Sequence, residues 1–203
     1  KKNINLIQNK ALELSMFLSI PAAAALLIGS EKIISALFGY GSFSDEGVYN
    51  SAKALYFFAL GLPAFSLIKV FSSFFFANHD TKTPFYISFA SVILNILISV
   101  YYFKDIGFII IPIATSISSW FNAIILFIFL KNKNLFSFNK IFIIKFIKII
   151  LTSILMGILF MYMISIFKNQ LVYDYNFKSF FMIFSVILCI IFYLVVSYFI
   201  KAF

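Results

Sequence analysis

Six apolar stretches, each close to the length that crosses a bilayer, constrain this chain more than any motif in it. They cover residues 14–30, 48–77, 85–103, 108–130, 149–167 and 179–200. A span needs roughly 20 mostly apolar residues. A soluble domain could not cover that much apolar surface, because its exterior needs polar groups. Composition agrees: 63% of residues are hydrophobic and 11% charged, against about 25% charged in an ordinary soluble domain. The expected fold class is therefore an all-α integral membrane protein with six transmembrane helices. Short polar turns between the stretches imply antiparallel neighbours.

The lysines set the expected orientation. All 16 basic residues are lysine. With a cytoplasmic amino end, ten fall in cytoplasmic segments: Lys1, Lys2, Lys10, Lys82, Lys131, Lys133, Lys140, Lys145, Lys148 and Lys201. Four fall outside, namely Lys32, Lys104, Lys168 and Lys178, while Lys53 and Lys69 lie within the second stretch. The positive-inside rule then places both ends in the cytoplasm. The net charge of +9 thus reads as topology, and no nucleic-acid partner is expected. Residues 1–13 interleave Ile4, Leu6 and Ile7 with Lys and Asn and read as an interfacial helix. The basic loop from Lys131 to Lys148 is expected to lie against anionic lipid headgroups. The chain opens on a polar stretch without an initiator Met or a signal-peptide pattern, and reads as a fragment of a longer protein.

Catalytic chemistry is hard to place on this sequence. It shows no nucleotide loop, nucleophile elbow or metal-ligand cluster, and His79 beside Asp80 lacks a second ligand nearby. The acids read as belonging to helix ends and loops, so neither an intramembrane enzyme nor a proton relay is expected. Cys189 reads as a buried small hydrophobe. Lys69 is the exception at depth, eight residues before Ala77 and about 12 Å along a helix. Two readings stand for it: a side chain snorkelling to the interface, or a cation facing a watery cavity where an anionic headgroup passes.

The third and fourth stretches carry polar lines. Ser88, Ser91, Asn95 and Ser99 share one face of the third; Ala114, Ser118 and Asn122 form a line on the fourth, beside Thr115, Ser119 and Ala123. Close helix packing accounts for such lines. The other reading makes Lys69, Ser118 and Asn122 a substrate pathway, and Asn95, Ser99 and Thr115 a site for a monovalent cation. Pro21 and Pro63 fall inside the first two stretches and should kink or loosen their helices. Pro112 falls in the first turn or two of the fourth. Thr83 is a good helix N-cap and Pro84 fits the first helical position; the alternative is that Asp80, Thr81, Lys82, Thr83 and Pro84 form a cytoplasmic gate. The last two stretches, apolar apart from Ser, Thr, Gly and Tyr, read as a peripheral pair touching lipid.

Three ordered segments carry a family resemblance. The first is Asn9-Lys10-Ala11-Leu12, then Ser19-Ile20-Pro21-Ala22-Ala23, then Leu37-Phe38-Gly39-Tyr40-Gly41-Ser42-Phe43. The second is Ala59-Leu60-Gly61-Leu62-Pro63-Ala64-Phe65, then Lys69-Val70, Phe76-Ala77 and Asp80-Thr81-Lys82-Thr83-Pro84. The third runs from Gly107 through Ala114-Thr115-Ser116 to Ser119-Trp120-Phe121-Asn122-Ala123. In order and spacing, residues 9–130 resemble the MviN/MurJ family of lipid II flippases; residues 131–203 match in hydropathy alone. Tyr40 departs from the Arg that many relatives carry before the glycine.

The resemblance implies part of a two-lobe, MATE-like transporter bundle. Residues 1–130 would belong to the second lobe, and residues 131–203 would add a basic cytoplasmic loop and an extra carboxy-terminal helix pair that helps form a groove for a polyprenyl tail. It implies a multi-pass protein of the bacterial inner membrane that flips lipid-linked peptidoglycan precursor by alternating access. The implied partners are an undecaprenyl-pyrophosphate-type lipid, membrane lipids and the upstream half of the same full-length chain. No cofactor is implied; coupling to a monovalent cation or to the membrane potential is open. An exporter of drugs or O-antigen lipid with the same fold, and a non-transporting membrane scaffold, are the alternatives.

Overall fold

The computed structural model describes residues 2–202, with side chains from Ile4 onward; Lys1, assigned above to the cytoplasm, lies outside the described residues. Six α-helices are present among them: α1 (Lys2–Phe38), α2 (Asp45–Phe76), α3 (Lys82–Ile106), α4 (Ile110–Asn132), α5 (Lys140–Ile166) and α6 (Lys178–Ile200). Five continuous helical segments are long and apolar enough to cross a membrane. One of them, Lys82–Asn132, runs 51 residues because a 3-10 turn, Gly107–Ile109, joins α3 to α4 without a loop. Gly107 sits at φ 72° there, a left-handed conformation that a side chain disfavours. The chain reverses at that point: Asn95 pairs with Thr115 and Ser88 with Asn122, so α3 and α4 run antiparallel.

The helices form a row in the order α3, α4, α2, α1, α5, α6, with α6 also touching α1. Both central contacts are close ones. A Cβ on Gly61 would stand 2.8 Å from Ser116 Oγ, so only glycine lets α2 and α4 approach this way. A Cβ on Gly29 would fall 2.5 Å from the Phe160 ring, which sets α1 against α5. One apolar core gathers Phe17, Ile149, Met156, Phe160 and Cys189 between α1, α5 and α6. A second gathers Leu12, Phe71, Phe75, Leu126, Leu130 and Phe142 between α1, α2, α4 and α5. Most remaining large apolar side chains face outward, the arrangement expected where lipid replaces water.

Several expectations need correction. Residues 1–13 are not a separate interfacial helix: α1 is continuous through residue 14 and on to Phe38, about 56 Å at 1.5 Å per residue. The basic segment 131–148 is only partly loop, since Asn139 caps α5 by accepting from Ile141 N at 3.2 Å and Lys140, Lys145 and Lys148 stand on that helix. Glu13 is neither at a helix end nor in a loop; it lies within α1 and is buried. Ser44 caps α2, with Asp45 and Glu46 in its first turn suiting the helix dipole.

Candidate functional site

The polar lines on the third and fourth stretches face each other. Asn95 donates from Nδ2 to Thr115 Oγ1 at 3.1 Å and to Ser118 Oγ at 3.2 Å. Asn122 Nδ2 donates to Ser88 Oγ at 3.3 Å. The hydroxyls also return to their own helices: Thr115 to Ile111 O, Ser118 and Ser119 to Thr115 O, and Ser91 to Ile87 O. Two oxygens in this seam are buried with no partner among the described residues, Ser99 Oγ and Asn122 Oδ1. The seam thus offers neutral oxygens and no carboxylate, and no group of three His, Cys, Asp or Glu is found among the described residues. Such a set holds a monovalent cation weakly on its own.

Lys69 stands apart from this seam. It is exposed on α2, and no hydrogen bond or ion pair holds it among the described residues. At helical spacing Leu62, Ser66 and Ser73 share its face, while other faces of α2 pack on α1 and α4. The structure does not bring Lys69 together with Ser118 and Asn122, which are buried in α4.

The Asp80–Pro84 segment closes the end of the α3–α4 hairpin. Asp80, not Thr83, caps α3. Its Oδ1 accepts from Thr83 N at 3.0 Å and its Oδ2 from Thr83 Oγ1 at 2.7 Å, whereas Thr81 at the N-cap position makes no side-chain cap. Pro84 is buried in the first turn rather than at its first position. Lys133, beyond the end of α4, reaches back to Asp80 Oδ2 at 2.5 Å and Thr83 Oγ1 at 3.1 Å. The Lys133 ammonium and then the Thr83 N–H hold the Asp80 carboxyl well below the usual carboxylate range. Thr81 and Lys82 are exposed.

Three clusters escaped the sequence reading. On α1, Asn5, Asn9 and Glu13 stand four residues apart and meet the chain before and within α5. Asn9 Nδ2 donates to Ser137 O at 2.9 Å, Asn9 Oδ1 accepts from Asn139 N at 3.0 Å, and Asn5 pairs with Ser137. Glu13 Oε1 accepts from Lys145 and from Lys10, each at 2.8 Å. The four-residue step was the legible signal. At the opposite end, Lys178 is 1% exposed. It donates to Gly39 O and Tyr173 O at 2.5 Å each, and lies 4.3 and 4.5 Å from the Tyr40 and Tyr173 ring centroids. Its partners are backbone carbonyls and ring faces, which leave no charge pattern to read. Between α1, α5 and α6, Thr152, Ser153, Ser185, Tyr193 and Ser197 are all buried.

An apolar groove of about 540 Å³ runs between α1, α2, α4 and α5. Its walls include Met16, Leu67, Trp120 and Ile124, and a stacked run of Phe138, Phe142 and Phe146 with centroids 5.3 and 5.9 Å apart. Among the described residues no polar side chain lines it beyond the indole of Trp120, whose Nε1 donates to Leu60 O.

Comparison with known proteins gives a consistent picture. The family model described as "Lipid II flippase MurJ" matches residues 1–199. A probable lipid II flippase MurJ of Rhizobium meliloti (strain 1021) is 41% identical over 121 residues, 60% of this chain and 23% of that protein. The probable lipid II flippase MurJ of Thermotoga maritima is 37% identical over 157 residues, 77% of this chain and 32% of that protein. A solved structure titled "Lipid II flippase MurJ, inward closed conformation" aligns with a TM-score of 0.78 at 25% identity, covering 98% of this chain and 40% of that one. The chain therefore spans about a quarter to a third of the length of these two curated relatives.

Proposed function

Because the chain belongs to the lipid II flippase MurJ family, we propose that it supplies part of the second lobe and the terminal helix pair of a flippase. That flippase carries lipid-linked peptidoglycan precursor across the bacterial inner membrane. The family match over residues 1–199 carries this reading; the apolar groove and the unpaired ammonium of Lys69 say how the chain would contribute. The polyprenyl tail would lie in the groove, one wall of which is the stack of Phe138, Phe142 and Phe146 at the start of α5. The pyrophosphate headgroup would pass the Lys69 face of α2, which this chain leaves uncovered and which upstream helices would enclose. Two lobes rocking about that enclosed site give alternating access. Asn95, Ser99 and Thr115 would add neutral oxygens to a cation site whose carboxylate comes from elsewhere.

The path we infer has six crossings with both ends cytoplasmic. Two observations support it. Asn5, Asn78 and Asn134, from the starts and ends of different helices, line one pocket at a common end. Tyr40 and Phe43 meet Ser179 and Tyr173 at the other end. Cysteines placed at Asn134 and Asn169 should then label from opposite sides of the membrane; labelling from one side defeats the path.

Lys69 tests the transport reading itself. In the full-length protein, Lys69→Met should lose most flipping while inserting at least as well, since a depth charge costs roughly 2.5–3.5 kcal/mol on translocon scales. Lys69→Arg should keep part of the activity, retaining charge with altered donor geometry. Near-normal flipping by Lys69→Met removes Lys69 from the substrate path.

A further inference from the structure

α1 runs through Pro21 without interruption. A proline has no N–H, so Pro21 cannot give the Phe17 carbonyl the donor that residue i+4 supplies elsewhere in a helix. At that carbonyl the structure places a side chain from another helix: Tyr193 Oη donates to Phe17 O at 2.8 Å, across 176 residues. The bond is buried, with Tyr193 4% and Phe17 8% exposed, and the two rings lie 5.0 Å apart. Tyr193 belongs to the buried line Met182, Ser185, Cys189, Tyr193 and Ser197, which is the face α6 turns inward.

The other internal proline is served differently: the carbonyl that Pro63 leaves without its N–H is that of Ala59, while the donors from α4 reach neighbouring oxygens. Next to Pro63 on α2, Trp120 of α4 donates from Nε1 to Leu60 O at 2.9 Å, and Ser116 donates to Phe57 O at 2.5 Å. Near each proline an aromatic donor from a neighbouring helix reaches backbone oxygen, and at Pro21 that oxygen is the one the missing N–H would serve. In hydrocarbon no water can take that place, so the donor fixes which helix packs beside the proline and at what height.

We propose that Tyr193 is the positioning residue of the terminal helix pair: its hydroxyl stands in for the N–H that Pro21 lacks, registering α6 against α1 at the height of the proline. Any change in α1 at this height is then transmitted to α6 as well as to α5, which α1 contacts directly. This holds whatever the chain transports, and its test is independent of flipping.

The chain carries its own reporter. Cys189 is its one cysteine, 3% exposed and one helical turn before Tyr193 on the same face. The alkylation rate of Cys189 is measured in the full-length protein in membranes, with the modified peptide identified by mass spectrometry. Tyr193→Phe keeps the ring and removes the donor. Alkylation should rise about threefold to eighteenfold, the range of an interhelical hydrogen bond in a bilayer. In a Pro21→Ala background the backbone N–H restored by the substitution serves the Phe17 carbonyl, so Tyr193→Phe should then change the rate less than about twofold. Pro21→Leu supplies the same N–H if Pro21→Ala fails to fold. An equal rise in both backgrounds, or no rise in either, overturns the proposal. So does a rise of the same size from Ser197→Ala, which would assign the effect to the hydroxyls around Tyr193 rather than to the Phe17 carbonyl.

Discussion

The seam between α3 and α4 and the seam joining α1, α5 and α6 are both polar within apolar helices, but they are built differently. In the first, amides bridge the helices: Asn95 reaches Thr115 and Ser118, and Asn122 reaches Ser88. In the second, short hydroxyls return to their own turns: Thr152 and Ser153 donate to Ile149 O, and Ser185 donates to Phe181 O. Tyr193 makes the crossing there. An Asn amide carries two donors and two acceptor sites, more than its own helix can serve, so it must look across; a serine can be served locally. Each seam also ends in an ion pair on the side read as cytoplasmic. Asp80–Lys133 is wet, with side chains 22% and 43% exposed, whereas Glu13–Lys145 is drier, at 6% and 24%. The difference separates polar groups that specify a neighbour from those that merely tolerate burial.

Substitutions should follow that distinction, and the largest effect belongs to the drier ion pair. Lys145→Met leaves Glu13 buried with only the half-exposed Lys10 beside it. A buried charge losing its partner costs about 3–5 kcal/mol, and Lys10 keeps the expected loss near the lower figure, about 3 kcal/mol. Unfolding of the full-length protein in mixed micelles measures it; a cost below about 1 kcal/mol would erase the contrast between the two pairs. Next comes Asn95→Leu. Thr115 and Ser118 keep their backbone partners, so the loss is one bridging amide, about 1 kcal/mol. The same variant should weaken any sodium dependence of transport; unchanged dependence leaves Asn95 a packing residue.

Asp80→Asn should cost less, no more than about 1 kcal/mol, as expected of an exposed pair. It also carries a pH signature. The folded carboxyl titrates below its unfolded value. Its contribution is therefore complete above the ordinary carboxylate pKa of about 3.9 and fades as pH falls below it. The deficit of Asp80→Asn relative to the native chain should be constant between pH 5 and 7 (roughly the range where carboxylates stay ionised) and shrink in stronger acid. A deficit that grows on acidification contradicts the Lys133 pairing.

The same distinction decides what could be read from sequence. The all-helical membrane architecture followed from the apolar stretches, and the family from ordered segments between residues 9 and 123. The α3–α4 lines were visible because serine and asparagine repeating at helical spacing rarely stand in hydrocarbon without a partner helix. Glu13 was misread because an acid just after a polar opening stretch looks like part of a solvated end, and only folding brings Lys145 to it. Asp80 lost the capping role to Thr83 on propensity, since the carboxylate's reach over three residues depends on the turn it adopts. Lys178 and Tyr193 were hidden for a shared reason: each satisfies itself on backbone oxygen, and backbone is the same at every position.

The smallest effect is the sharpest test of the comparison. Ser153 is 1% exposed, and its hydroxyl donates to Ile149 O at 2.7 Å. That carbonyl also has the N–H of Ser153 itself in the helical ladder, and Thr152 Oγ1 at 3.0 Å. Ser153→Ala removes a donor without orphaning an acceptor, leaves a space of one oxygen, and gains a little helix propensity. The expected change is within about 0.5 kcal/mol of zero, although the site is more deeply buried than Asn95. Burial alone would rank the two substitutions the other way. A loss above about 1 kcal/mol for Ser153→Ala would mean that its hydroxyl engages Tyr193 across the seam. The α1–α5–α6 contact would then be a bridged interface of the same kind as α3–α4, with Tyr193 one member of a hydroxyl network.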